Sequence, residues 1–313
     1  GAADAASACA ETRLIVPAYF GENYARWKAL EDLLKKSPES SAAVIVNPAS
    51  GPAAKRGIGI EVQGNQDFYN QYYTRTIAAL HIANRRVRAL GYVATGYMDY
   101  RTYLEGARGY PKPAGFEGHI EADLRSDMGQ RLGKTVKQAH PGLDNETVKL
   151  LTAILFDVER WFLWYKGVDG IFFDEAITSG RFELYEFLAT YVKNKKPELM
   201  VVQNPGASNG DLRQDLSHYP QADAVCVFES GRGGLDFLER LEASGNEKAC
   251  ILLPGVAQAQ TAHAALRAAC EKNVGWFYAT NGGWSKLSPY LGPGKAASSS
   301  RTKTLQLRTP FTE

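Results

Sequence analysis

The stretch Gly170-Ile171-Phe172-Phe173-Asp174-Glu175 decides how the rest of the chain is read. Three apolar residues run into two adjacent carboxylates, with a long amphipathic segment before them and another after. A short apolar run bounded by turn residues and set between helical patterns is the signature of a strand buried in a parallel sheet. Carboxylates at the C-terminal tip of such a strand stand where barrel enzymes carry their chemistry. Either acid alone is equally well explained as an N-cap or first-turn residue of the next helix. The whole chain separates the two readings.

Upstream of this stretch, Thr147 to Tyr165 carries Leu151, Ile154, Leu155, Val158, Phe162 and Tyr165 at helical spacing. Three strands precede that helix: Leu14–Tyr19, Ala43–Pro48 and Val87–Thr95. Helical patterns separate them, one with Tyr24, Trp27, Leu30, Leu33 and Leu34 on one face and one over Phe68–Leu80. Downstream, helical Phe182–Lys195 leads to a strand at Leu199–Pro205, and a loop-rich segment to a strand at Ala224–Glu229. Helical Leu235–Leu241, a strand at Cys250–Pro254, helical Ala262–Cys270 and a strand at Trp276–Thr280 complete the series. Eight strands alternating with helices over this length predict a single (β/α)8 barrel spanning 1–295. An open doubly wound sheet would carry a glycine-rich phosphate loop after its first strand. Tyr19-Phe20-Gly21-Glu22-Asn23 has no such pattern, and Gly57-Ile58-Gly59 lacks the third glycine.

Two segments fall outside the rhythm. Residues 102–146, within a stretch rich in Gly, Pro and charge, form an insertion too long for an ordinary connection, which predicts a functional lid or mobile loop. Its acids Glu117, Glu121, Asp123 and Asp127 are expected on a solvated surface. Arg101, just before it, is expected to bind an acidic group or pair with Asp99. The polar tail 296–313 is expected to be peripheral.

Composition narrows the function classes. With 36 basic and 34 acidic residues, a formal net charge of +2 argues against a nucleic-acid binder. No apolar run reaches the length of a membrane span. His81, His119, His140, His218 and His263 have no metal-ligand spacing, so neither a metal site nor another cofactor is expected. Cys226 and Cys250 lie in apolar runs and read as small buried hydrophobes; Cys9 and Cys270 could pair in an exported protein. The small-residue-rich start is compatible with a mature N-terminus after signal removal.

Read together, the strand ends give Tyr19, Asn47, Thr95, Asp174 with Glu175, Asn204, Glu229, and Thr280 with Asn281. Hydrogen-bonding groups gathered at one mouth suit a polar ligand. Aromatic rings, amides and acids without metal ligands suit a sugar. Glycosidic cleavage needs two carboxylic groups, one to protonate the leaving oxygen and one to attack the sugar or activate water. Asp174 is assigned as nucleophile, Glu229 as general acid/base and Glu175 as an orienting group. The roles of Asp174 and Glu175 are interchangeable at this point, because neighbouring strand side chains point to opposite faces unless the strand has ended. Tyr19, Asn47, Tyr97, Asn204, Tyr278, Asn281 and Trp284 are the candidate substrate-binding residues, with Trp284 in its Gly-rich loop the better sugar platform and Trp276 a core residue. The alternative for Glu229 is a helix cap or a partner for Arg232.

The chain resembles the spherulin-4-like family, glycoside hydrolase family 135. The resemblance is carried by Val16-Pro17-Ala18-Tyr19, Val44-Ile45-Val46-Asn47-Pro48-Ala49-Ser50-Gly51-Pro52, Gly91-Tyr92-Val93-Ala94-Thr95-Gly96-Tyr97 with Arg101, Trp164-Tyr165, Val168-Asp169-Gly170-Ile171-Phe172-Phe173-Asp174-Glu175 and Asn204-Pro205-Gly206. It implies a (β/α)8 barrel, related to the endo-α-1,4-polygalactosaminidases. It further implies an exported, secreted or periplasmic enzyme, endo-acting on α-1,4-linked N-acetylgalactosamine or galactosamine in the exopolysaccharide of biofilm matrices. The family's acidic positions fall on Asp174, Glu175 and Glu229. The long insertion after Arg101 departs from the family pattern. The expected protein is thus a metal-free, retaining glycosidase, monomeric, with an amino-sugar polysaccharide as partner. The rivals are a non-catalytic polysaccharide-binding barrel and a metal-dependent deacetylase, the latter disfavoured by the histidine spacing.

Overall fold

A computed structural model describes residues 12–52, 71–106, 111–293 and 305–307. Strands β1 (Arg13–Ala18), β2 (Ala42–Val46), β3 (Val87–Ala94), β4 (Gly170–Asp174), β5 (Met200–Gln203), β6 (Ala224–Glu229), β7 (Ala249–Leu253) and β8 (Trp276–Ala279) form a closed barrel in sequence order. Every pairing is parallel, and β8 closes on β1 through Arg13↔Trp276 and Leu14↔Phe277. The (β/α)8 expectation holds, with strand limits moved by one or two residues. Strands buried on both faces must be apolar throughout, and β2 (Ala-Ala-Val-Ile-Val) is buried at all five positions.

The helices are α1 (Tyr24–Lys35), α2 (Gln71–Ala83), α3 (Tyr100–Glu105), α4 (Phe116–Arg125), α5 (Asp127–Ala139), α6 (Asn145–Trp164), α7 (Phe182–Lys195), α8 (Leu212–Ser217), α9 (Gly234–Arg240) and α10 (Ala259–Glu271). The helix expected from Phe68 begins, within the described residues, at Gln71. Residues 57–59 and Cys9 lie outside the described residues; Cys270 is buried and disulfide-bonded. Cys226 and Cys250 are buried free thiols, as expected. In the tail, β10 (Leu305–Leu307) pairs antiparallel with β9 (Leu291–Pro293).

Two close approaches pack the barrel wall. A Cβ on Gly170 would lie 1.9 Å from the Met200 carbonyl oxygen, so only glycine lets β4 run this close to β5. A Cβ on Gly91 would lie 2.3 Å from the Trp161 ring, so α6 packs flush on β3. Trp161 then donates its indole N–H to the Tyr92 carbonyl at 2.8 Å. Residue 92 is thereby fixed in depth.

The insertion corrects its expectation. Among its described residues it is mostly helical, α3 to α5, and Ile120, Leu132 and Val136 are fully or nearly buried. Asp123 is buried rather than solvated: its two oxygens take both terminal nitrogens of Arg160 on α6, at 2.7 and 2.8 Å. This fork-to-fork pair clamps α4 to the barrel's longest helix. Glu121 accepts from Lys149 at 2.9 Å and from Tyr100 at 3.2 Å. Arg101 is exposed and binds an acidic group of its own helix, Glu105 one turn on, and not Asp99, which caps α3.

Candidate active site

The site starts from where β4 stops. Asp174 is its last residue, level with Ala94 of β3. Glu175 follows with φ +56, a left-handed conformation that costs a non-glycine residue about 1 kcal/mol. The strand has therefore ended, the alternation no longer applies, and both acids reach the same cavity. The turn after β3 holds Glu175 in place. Tyr97 N–H donates to the Glu175 carbonyl at 2.7 Å, the Thr95 hydroxyl donates to it at 2.8 Å, and Gly96 N–H donates to Glu175 Oε2 at 3.1 Å. That turn is itself left-handed at Gly96, Tyr97 and Met98. Two strained segments hold each other, the kind of arrangement that concentrates at functional sites.

Glu229 reaches the mouth through an irregularity in β6. The register with β7 shifts between Cys226 and Phe228, a bulge that re-aims the strand end. Phe228 turns outward and stacks on Phe237 of α9 with ring centres 4.8 Å apart, and Glu229 turns inward. Its backbone N–H donates to the Gly206 carbonyl at 2.9 Å. Arg232 is not its partner: Glu229 Oε1 accepts from the Trp284 indole N–H at 3.1 Å and Oε2 from Asn204 Nδ2 at 2.8 Å.

Asn204, just beyond β5 and buried, ties the acids together. The same Nδ2 that reaches Glu229 donates to Asp174 Oδ1 at 2.8 Å. The two carboxylate oxygens are thus no farther apart than twice one such hydrogen bond. Asp174 Oδ2 accepts from the Tyr92 hydroxyl at 2.6 Å. Tyr19 packs edge-on against Tyr92, ring centres 5.7 Å apart.

These groups line a cavity of about 520 Å3 at the C-terminal end of the barrel. Of the candidates from sequence, Tyr19, Asn47, Tyr97, Asp174, Glu175, Glu229 and Trp284 meet there. Asn204 sits behind the acids and bridges them. Tyr278 and Asn281 do not line the cavity: Tyr278 is buried, its ring beside Trp284 and its hydroxyl accepting the Ser288 N–H at 2.9 Å, and Asn281 is exposed. A tyrosine near a strand end can face either way, and this one faces its own loop.

Sequence reasoning missed Tyr92 and Lys112, with Phe116 beside it. Tyr92 was legible in principle: a tyrosine two residues before a strand tip, within the family-like Gly-Tyr-Val-Ala-Thr run, can reach the neighbouring strand's end. Lys112 was not, because it lies in the insertion, expected as a lid or mobile loop, where no local pattern marks a wall residue. The insertion instead supplies the cavity wall with Lys112 and Phe116.

Burial raises the pKa of all three carboxyls. For Glu229 the nearby Asp174 charge adds to it, and hydrogen bonds from Asn204 and Trp284 oppose it. For Asp174 the opposing contributions come from Tyr92, the Glu175 backbone N–H, Asn204 and the Lys112 charge. For Glu175, Lys112 opposes the rise and Asp174 adds to it. Asp174 has more donors aimed at its ionised form than Glu229 has. The Asp174 charge raises the pKa of Glu229, so ionisation of one acid opposes ionisation of the other. Among the described residues no group of three or more His, Cys, Asp or Glu side chains could hold a metal ion, and no helix is long and apolar enough to cross a membrane.

The family model of the Spherulation-specific family 4 matches residues 13–293. The chain belongs to this family. The match takes in all eight barrel strands and every carboxyl of the cavity. Among solved structures, the chain is similar to Aspergillus clavatus Sph3 in complex with GalNAc, with 20% sequence identity over 89% of this chain and 94% of that one, and a TM-score of 0.54. That similarity extends to the fold. A family 5 mannosidase from Rhizomucor miehei is more distant, with 10% identity, 86% and 81% coverage and a TM-score of 0.43. No curated protein matches the sequence.

Proposed function

We propose that this spherulin-4 family protein is a retaining glycoside hydrolase that cleaves within an N-acetylgalactosamine- or galactosamine-containing polysaccharide. The observation that carries the reading is the single Asn204 amide shared by Asp174 and Glu229. Carboxyl pairs of retaining glycosidases stand about 5–5.5 Å apart and those of inverting enzymes about 6.5–9.5 Å. Two oxygens that share one nitrogen are at most twice 2.8 Å apart, and this close approach supports the retaining class.

In this mechanism Asp174, held by Tyr92 and Asn204, attacks the anomeric carbon. Glu229 gives its proton to the departing glycosidic oxygen, then takes one from the water that releases the glycosyl-enzyme. Glu175 binds sugar hydroxyls and adds negative potential as the oxocarbenium-like charge develops. Trp284 and Tyr19 offer flat apolar surfaces for the sugar faces, and Asn47 offers an amide. The GalNAc held in the Sph3 structure supports this sugar as the repeating unit. A disulfide-bonded Cys270 supports an oxidising compartment, hence export.

The test is incubation of the full chain with an α-1,4-linked N-acetylgalactosamine polymer and with its deacetylated form, products sized by mass spectrometry. Internal cleavage to short oligosaccharides, lost in Glu229→Gln while polymer binding persists, supports the reading. Binding without cleavage by the wild-type chain refutes it.

A further inference from the structure

The two oxygens of Glu229 are not equivalent. Oε2 accepts from Asn204, whose buried amide stands behind the acids, and a Cβ on Gly206 would lie 3.7 Å from that oxygen. Oε1 accepts from the Trp284 indole N–H at 3.1 Å, and Trp284 is part of the cavity wall. Oε2 thus faces the core of the barrel, and Oε1 faces the space open to a ligand.

The donor is held in place without help from Glu229. The Trp284 carbonyl accepts the Tyr19 N–H at 3.1 Å, just past β1, and the Ser285 carbonyl accepts Arg26 Nη1 of α1 at 2.7 Å. The Gly282 carbonyl accepts the Gly255 N–H at 2.9 Å, and the Ser288 N–H is bound by the Tyr278 hydroxyl. A loop fastened to β1, α1, β8 and the turn after β7 carries its side chain to a fixed position. A donor that need not reorganise acts most strongly on charge developing beside it. The charged and titratable groups that face Glu229 are Asp174 and Glu175 at the end of β4, Tyr19, Tyr97, Cys226 on β6 and Lys112 from the insertion. Against the rise in its pKa stand the bonds from Asn204 and Trp284.

We propose that Oε1 is the atom from which Glu229 delivers its proton, and that Trp284 is the positioning residue for that step. The inference rests on the glycosidase reading of the site. As the Oε1–H bond breaks, the proton passes to the glycosidic oxygen, which keeps the electron pair of its bond to the anomeric carbon. Negative charge then appears on Oε1. The indole N–H, already aimed there, binds a carboxylate more strongly than a carboxylic acid. It therefore stabilises the transition state more than the ground state, which is the condition for raising kcat. The departing sugar unit lies beside the Trp284 ring. In the return step Oε1 takes a proton from water, starting from the form that the indole favours.

The test is proton–nitrogen correlation NMR of the isotopically labelled full chain across pH, beside kinetics on the polymer. The five tryptophans give five indole signals, and that of Trp284 is identified by its loss in Trp284→Phe. The proposal expects this signal to move downfield in one step as pH rises, because ionised Oε1 is the stronger acceptor. The step should vanish in Glu229→Gln and fall to lower pH in Asp174→Asn, where no neighbouring charge raises the Glu229 pKa. Trp284→Phe keeps an aromatic ring and removes the donor. It should lower kcat about tenfold or more and leave KM within a few-fold. It should also move the basic limb of the pH profile upward, since the lost bond favoured the ionised form. An indole signal that does not titrate, or that titrates unchanged in Glu229→Gln, overturns the proposal, as does a basic limb that stays or moves down. Polymer left uncut by the wild type beside an intact indole titration overturns the glycosidase reading instead, and supports the coupling of Trp284 to Glu229.

Discussion

Asp174 and Glu229, on strands that are not neighbours in the barrel, accept hydrogen bonds from one and the same nitrogen, Asn204 Nδ2, each at 2.8 Å. An amide nitrogen has two hydrogens, and here each is committed to a different acid. The arrangement fixes the separation of the acids and couples their protonation, because the charge on Asp174 raises the pKa of Glu229. Every function assigned to the cavity depends on this bridge.

Replacing the acids is expected to separate activity from stability. Glu229→Gln and Asp174→Asn should each lower kcat by about 10²–10⁴-fold or more, since each removes a proton carrier or nucleophile. Asp174→Asn, which removes the buried anion, should also raise the unfolding temperature at pH 7, while Glu229→Gln replaces a group that acts in its protonated form and should change it less. An acid whose folded pKa lies above its unfolded value is stabilising as the protonated form. That advantage is complete below the unfolded pKa and is lost as pH rises through the folded one. At neutral pH the buried charge is therefore a net cost, which the neutral amide removes. A gain of 1 kcal/mol corresponds to roughly 2–4 °C in a domain of about this size. Differential scanning calorimetry beside product assays checks both halves; a lower Tm at pH 7 in Asp174→Asn contradicts the assignment of strain to its charge.

Tyr92→Phe tests which acid must be ionised. The Tyr92 hydroxyl donates to Asp174 and so favours its anion. Without it the Asp174 pKa should rise further, and the acidic limb of the kcat/KM profile should move to higher pH. The basic limb, set by Glu229, should stay where it is. A shift of the basic limb alone would exchange the two roles.

Much of this was legible before the structure. The barrel was written in the period of the chain: eight apolar runs, each followed by a helical stripe, because strands buried on two faces admit polar residues only near their ends. The three acids were legible for the same reason. What escaped was set by contacts that no local pattern encodes. The joint inward aim of Asp174 and Glu175 depends on a left-handed residue braced by the turn at Gly96–Met98. The inward aim of Glu229 was expected from its place at a strand tip, but the irregularity in β6 that delivers it shows only in the β7 register. The insertion misled because its Gly, Pro and charge mimic a mobile loop, while its buried face is a sparse set of apolar residues around one ion pair. Lys112 was lost with it.

Lys112 gives the third prediction. From the insertion it reaches the cavity wall, and its charge counters the raised pKa values of Asp174 and Glu175. A fixed ammonium in the cavity should disfavour a substrate unit that brings its own. Lys112→Ala should raise kcat/KM on deacetylated galactosamine polymer relative to the acetylated polymer, by a few-fold. It should also move the acidic limb to higher pH, since both carboxyls lose a stabilising charge. Parallel kinetics on the two polymers check this, and an unchanged ratio removes Lys112 from substrate selection.

The last prediction concerns the insertion as a piece of architecture. Asp123 and Arg160 are both buried, and Arg160 also lies over the rings of Phe156 and Trp164, at 4.3 and 5.1 Å from their centres. Removing one partner of such a pair leaves a desolvated charge, which costs about 3–5 kcal/mol. Asp123→Ala should therefore destabilise the protein by that order. Arg160 Nη1 also stands 3.8 Å from the buried Asp157, so the neutral replacement takes in all three: Asp123→Leu with Arg160→Met and Asp157→Asn should restore most of the loss, because the penalty belongs to unpaired buried charge and not to the missing bond. The insertion carries Lys112 and Phe116 into the cavity wall, so the single substitution should raise KM more than it lowers kcat. Denaturant unfolding of the two variants beside their steady-state kinetics decides the matter: equal stabilities for wild type and Asp123→Ala would show that α4 is docked by its apolar residues alone.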